Sequence, residues 1–168
     1  EVHALVRSGA ADLGIATQTD ARSDLIATPL YADEFIVALR PEHPLARQRQ
    51  MDWVQLAREP LIGYLPGNPV RRLLEDHLAR QGIVVTYAYE IALPWTMMGL
   101  ASEGLGVALV TMALRPLAQW HGLEVRAVGQ PALARTMTLL RAPGGSPSPA
   151  VAAFRDELLK ASNAAVLS

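Results

Sequence analysis

The chain has 168 residues, half of them hydrophobic, with 15 basic against 16 acidic side chains, a formal net charge of −1 and no cysteine. That length holds one medium domain or two small lobes around a substantial core, and the near-neutral balance gives no electrostatic case for nucleic-acid binding by these residues themselves. Disulfides, thiolate metal sites and a cysteine nucleophile are excluded, and no apolar run is long enough to span a membrane, so no membrane contact and a cytoplasmic location are expected.

Glu1–Ser8 reads as the back half of a helix, with Val2, Leu5 and Val6 on one face and Gly9 as its stop. It opens without a cap, so more of the same folding unit is expected upstream. Asp12–Thr17 predicts a strand, and TQTDARSD a polar loop. Leu25–Tyr31 and Glu34–Leu39 predict two extended runs, each interrupted by turn residues. Prolines at 41 and 44 exclude a regular element from Pro41–Ala46. Met51–Arg58, with Trp53, Val54 and Leu56, predicts a short helix ended by Pro60. Val84–Ile91 alternates as a strand, and Pro94–Glu103 predicts a helix stopped by Gly104. Gly106–Val110 is apolar throughout, as in a sheet covered on both faces. Thr111 suits the cap of a helix Met112–Trp120, which Pro116 should kink. Leu123–Val128 and Thr136–Arg141 predict strands, APGGSPSP a loop, and Ser148–Lys160 an amphipathic helix. Strands and helices alternate, so the expected class is α/β with mainly parallel pairing.

One stretch concentrates the signals of a binding loop. Leu61-Ile62 suits a buried strand end, and Gly63–Gly67 breaks the pattern with turn residues. Asn68-Pro69 reads as an N-cap followed by proline at the first helical position. Val70, Leu73, Leu74, His77, Leu78 and Gln81 keep helical spacing up to Gly82. Strand, glycine-containing loop and capped helix together present backbone N–H groups to a ligand. Arg71 and Arg72 stand in the first turn, where the helix dipole disfavours cations. Two readings are open for them. A small anion relieves that start, or each arginine pairs with Glu75 or Asp76 one turn on. The loop as a whole reads as a ligand contact.

The chemistry of catalysis is thin. The four histidines show no metal spacing with one another or with an acidic cluster, so no metal and no cofactor are expected. No serine sits in a nucleophile elbow, and the glycine pairs fit neither a dinucleotide nor a P-loop motif. The three tryptophans and Met97-Met98 fall at helical positions and read as core. A binding module, not an enzyme, is the expectation.

Several segments together resemble the effector-binding domain of LysR-type transcriptional regulators: LVRSGAADLGIA, PLYADEFIVALRPEHPLA, REPLIGYLPGNPVRRLLEDHL, GLASEGLGVALVTMAL and SPAVAAF, in that order. The resemblance implies two Rossmann-like α/β subdomains of the type-2 periplasmic-binding-protein kind, with a small effector in the cleft between them. It places one subdomain in residues 1–38 plus 140–168 and the other in 39–139, crossing at Val37–Arg40 and Thr138–Arg141. The first lobe is then incomplete, and the family's helix-turn-helix would precede residue 1. By position, the effector contacts implied are Ala16, Thr17, Tyr64, Leu65, Pro66, Gly67, Asn68, Arg71, Pro94, Thr96, Val110 and Thr111. Thr17 as a hydroxyl closing its own turn, and Thr111 as an ordinary cap, are equally open. Loop N–H groups, hydroxyls and arginines lean towards an anionic metabolite. A homodimer or higher homo-oligomer is implied, with DNA bound only through the missing domain. The alternative is a fragment of a solute-binding protein or enzyme of the same bilobal fold.

Overall fold

The computed structural model describes residues 2–17, 24–144 and 147–166, so most of the polar loop expected after Thr17 lies outside the described residues. The chain divides into two compact units, Glu1–Asp33 with Arg135–Ser168, and Glu34–Ala134.

The first unit holds α1 (Val2–Arg7), β1 (Leu13–Thr17), the start of β2 (Ile26–Leu39), most of β8 (Ala134–Arg141) and α6 (Pro149–Val166). β1 and β8 pair antiparallel, from Leu13 opposite Arg141 to Thr17 opposite Met137. Val6, Leu25 and Leu140 form the core, with Val2, Ala11 and Ala16 packed on it. Gly14 lets α1 approach β1: a Cβ there would lie 2.6 Å from Val2 and 2.8 Å from Val6. The buried Ser162 hydroxyl donates to the Leu30 carbonyl, tying α6 to β2.

The second unit is a mixed sheet with helices on both faces. β4 (Leu61–Tyr64) pairs parallel with β5 (Tyr87–Ile91) and β6 (Val107–Thr111). The end of β2 runs antiparallel to β6 and β7 (Glu124–Val128), and β3 (Gln50–Met51) is parallel to β7. Successive side chains of a strand point to opposite faces. Accordingly Phe35, Val37 and Leu39 join Leu61 and Leu109 beneath α2 (Trp53–Leu56) and α3 (Pro69–Arg80). Ile36 and Ala38 join Ile62, Ala108 and Val110 beneath α4 (Pro94–Ser102) and α5 (Arg115–Trp120). Every residue from Phe35 to Leu39 is buried, as a strand covered on both faces requires.

Several expectations are corrected. Pairing is mixed rather than mainly parallel, because β2 and β8 run against their neighbours. The two runs expected at Leu25–Tyr31 and Glu34–Leu39 are one strand, within which Asp33 is buried and paired with Arg135. Pro44–Arg47 is a 3-10 turn capped by His43, whose Nδ1 accepts from the Leu45 N–H; Pro44 suits its first position. The helix expected over Met51–Arg58 begins only at Trp53, with Asp52 and Gln55 forming a reciprocal capping box. The helix expected at Met112–Trp120 splits into a 3-10 turn, Met112–Leu114, and α5, with Pro116 in the first turn of α5 rather than at a kink. α6 runs on to Val166, beyond the expected Lys160.

Candidate ligand site

Strands β4, β5 and β6 run parallel, so their carboxyl ends, Tyr64, Ile91 and Thr111, open on one edge of the second unit's sheet. That edge is where open α/β sheets receive ligands. The three loops leaving it carry the expected contacts Tyr64–Asn68, Pro94, Thr96, Val110 and Thr111.

The loop after β4 satisfies itself. Asn68 N–H donates to the Leu65 carbonyl at 3.2 Å, and the Asn68 side chain accepts from Val70 N–H at 2.8 Å. Gly67 takes the left-handed conformation the turn needs, with φ +84°. Leu65, Pro66 and Gly67 are exposed, whereas the Tyr64 side chain is buried. α4 starts differently. Leu93 at its N-cap offers no side-chain acceptor, Pro94 has no N–H, and no acidic residue stands in the first turn. The amides of Trp95 and Thr96, in the first turn of α4, therefore receive no side-chain cap from Leu93. Thr111 precedes the 3-10 turn but makes no side-chain cap bond, so the ordinary-cap reading fails; its side chain and that of Val110 are buried.

Arg71 is committed to protein partners. Its Nε donates to Glu75 at 2.7 Å, and its Nη1 to Glu90 at 2.7 Å and to the Tyr64 carbonyl at 2.8 Å. The guanidinium also lies 4.2 Å from the centre of the Tyr87 ring. Burial works against its charge, but hydrogen bonds to Glu75 and Glu90 outweigh this and hold its pKa above the ordinary value. Pairing with Glu75 is thus present, together with three contacts that helical spacing does not reveal.

Ala16 and Thr17 belong to the first unit. The Ala16 carbonyl accepts from Thr138 at 3.1 Å. The Thr17 hydroxyl accepts from Arg135 at 3.3 Å and lies 3.9 Å from the Met137 sulfur. Arg135 in turn grips Asp33, which is 1% exposed, through two bonds of 2.9 and 2.8 Å. Thr17 does not simply close its own turn. Sequence reasoning missed Arg135 and Asp33, which stand 102 positions apart with no motif to join them.

The tryptophans divide. Trp53 is buried, but Trp95 and Trp120 are 55% and 70% exposed and meet at 4.8 Å, each edge-on to His121 at 5.0 Å. Trp95 and Trp120 are therefore not core, contrary to expectation. Among the described residues no cluster of His, Asp or Glu could hold a metal ion, and no helix is long and apolar enough to cross a membrane.

The family described as LysR substrate binding domain matches residues 1–163. The chain belongs to that family. It is 29% identical over 143 residues to the HTH-type transcriptional regulator YbhD of Escherichia coli K12, covering 85% of this chain and 45% of that protein. It is 27% identical over 140 residues to a probable nitrogen assimilation transcriptional activator of Synechococcus elongatus, covering 81% and 45%. The chain thus spans about half the length of these curated relatives. Solved LysR-type domains share the mixed α/β, periplasmic-binding-protein-like fold. The effector-binding domain of QuiR in complex with shikimate aligns with TM-score 0.80 at 23% identity, over 95% of this chain and 76% of that one. The Synechocystis CcmR regulatory domain in complex with 2-PG aligns with TM-score 0.82 at 18% identity, over 96% and 78%.

Proposed function

We propose that this chain is the effector-sensing domain of a LysR-type transcriptional regulator and takes a small anionic metabolite. The observation that carries the ligand reading is the shared edge of β4, β5 and β6, with the uncapped α4 start upon it. Trp95 and Thr96 amides receive the anionic group, helped by the positive end of the α4 dipole. Leu65–Asn68 and Thr111 shape the neighbouring walls. Arg71 holds the loop after β4 in place and leaves the ligand to the amides. Thr17 is fixed by Arg135 within the first unit. DNA is bound by a segment outside these 168 residues, and the protein works in the cytoplasm as a homodimer or higher homo-oligomer, without catalysis.

The regulator reading is supported by the family match and by relatives that are regulators of about twice this length. The test is a thermal-shift screen of small carboxylates and phosphate esters against the longer protein. A true effector at a hundred times its Kd adds about 2.7 kcal/mol to the stability of the folded state. Absence of any saturable shift across the panel refutes the anion reading. The chain alone should not retain promoter DNA, and salt-sensitive, sequence-specific retention refutes the division of labour.

A further inference from the structure

Trp95 and Trp120 are the most exposed aromatic side chains of the second unit, although an indole gains more than most side chains from burial. They come from different elements, Trp95 from the first turn of α4 and Trp120 from the last position of α5, and meet with ring centres 4.8 Å apart and planes inclined by 42°. His121 closes the cluster. Its ring lies 5.0 Å from each indole, at 73° to Trp95 and 76° to Trp120. The buried Nε2 of His121 has no hydrogen-bond partner, so at that atom the ring is held by packing.

Covalent geometry joins this cluster to the start of α4. Leu93 is the N-cap and Pro94 the first helical residue, so Trp95 is the second, where a backbone N–H has no partner within the helix. The Leu93 carbonyl accepts from the Met97 N–H at 3.3 Å. Side chains of a helix lean towards its N-terminus, so the Trp95 ring and the Trp95 amide belong to the same turn and the same residue. Neither α4 nor α5 carries an acid in its first turn.

We propose that the Trp95 indole, braced by Trp120 and His121, makes this site selective for an effector whose carboxylate is carried on a flat aromatic ring. The inference rests on the reading that the α4 start receives the anion, and it names what the anion is attached to. The carboxylate takes the Trp95 amide, and the ring lies against the indole offset or edge-on, the arrangements in which aromatic pairs attract. Contact with two other rings restricts the Trp95 side chain before any ligand arrives, so less freedom is lost on binding. Trp120 and His121 are positioning residues that act through Trp95. A saturated ring of the same size buries similar apolar area without a π system, so comparing the two isolates the indole's part.

The test is calorimetric titration of the longer protein with benzoate and with cyclohexanecarboxylate. Benzoate is expected to bind roughly threefold to tenfold more tightly, the strength of one aromatic pair. W95L removes the indole and keeps the backbone amide, so the two acids should bind it equally. W120L, at an exposed position that leaves the fold intact, should reduce the preference for benzoate while leaving cyclohexanecarboxylate affinity unchanged, a ratio that a merely structural role would not move. Equal affinities in the wild type, or an undiminished preference in W95L, overturn the inference and leave the anion reading standing, because both acids still bind. A full preference in W120L overturns the bracing. Failure of both acids to bind overturns the anion reading and this inference with it.

Discussion

Replacing Arg71 with alanine tests what this side chain does. Relief of the helix dipole alone would make the variant more stable by about 0.3–1 kcal/mol. The structure gives the opposite sign. The pairs with Glu75 and Glu90, carboxylates 43% and 40% exposed, contribute little each, about 0.2–1 kcal/mol. The bond to the carbonyl of the buried Tyr64 is charge-assisted and worth about 1.5–3 kcal/mol. The stacked Tyr87 ring adds about 0.5–1 kcal/mol. After dipole relief is subtracted, a net loss of about 3 kcal/mol is expected, within roughly a factor of two. For a chain of this size, that lowers Tm by about 6–12 °C. Thermal melts and urea unfolding at pH 7 measure it. Arg71→Lys keeps the charge but not the planar fork, so it should recover only a minor part. A variant R71A that melts at or above the wild-type temperature refutes the reasoning and returns Arg71 to the ligand.

The Tyr87 hydroxyl is buried without a partner, and burial, aided by Glu75 and Glu90 against Arg71, pushes its pKa from 10.0 up to about 12. Tyr87→Phe should therefore gain about 1 kcal/mol at pH 7. The folded pKa lies above the unfolded one, so this group's contribution is full below pH 10.0 and is lost as pH rises towards about 12; urea titrations should show that slope vanish in the variant. His77 has the opposite sense for a base. Its pKa is depressed below 6.5 by burial and by Arg80, so stability is full above 6.5 and falls as the unfolded chain takes up the proton at lower pH. An acid slope equally steep in His77→Gln contradicts this. At Gly106 an added Cβ would lie 2.2 Å from the Pro60 carbonyl oxygen, backbone that cannot step aside, so Gly106→Ala should cost about 2–3 kcal/mol or more. Gly99, inside α4 with nothing within 4 Å, should gain about 0.5–1 kcal/mol from the same change, and matching urea midpoints for the two variants would disprove the contrast.

Local chemistry was legible in the sequence where it is self-contained. Asn68-Pro69 caps α3 and Gly82 ends it with φ +69°, as their residue types demand. Contacts across the chain were not. Nothing near Asp33 announces Arg135, so the sequence showed two runs instead of a continuous strand holding one half of a buried pair. Helical spacing likewise shows that Trp95 and Trp120 share faces with other apolar residues, but not whether another element covers them. Arg71 is the instructive middle case. Its i,i+4 partner Glu75 was visible, while Glu90 and Tyr87 arrive from β5, which only the pairing of β4 with β5 brings alongside.

That pairing also decides where along the edge an anion is tolerated. Close to Tyr64, one guanidinium faces two carboxylates, Glu75 and Glu90, so the corner carries an excess negative charge despite its arginine. An anion placed there meets a cation whose charge is already shared, and a carboxylate that repels it. The α4 start has no acid in its first turn and no side-chain cap, so its amides keep both their donors and their dipole. Leu93 beside it is 65% exposed and Trp95 is 55% exposed, which leaves apolar surface next to the amides. On the proposed reading, the charged end of the effector therefore belongs at α4, and its carbon body lies along Leu93 and Trp95. Arg71 acts one step back, through the loop it holds against β5.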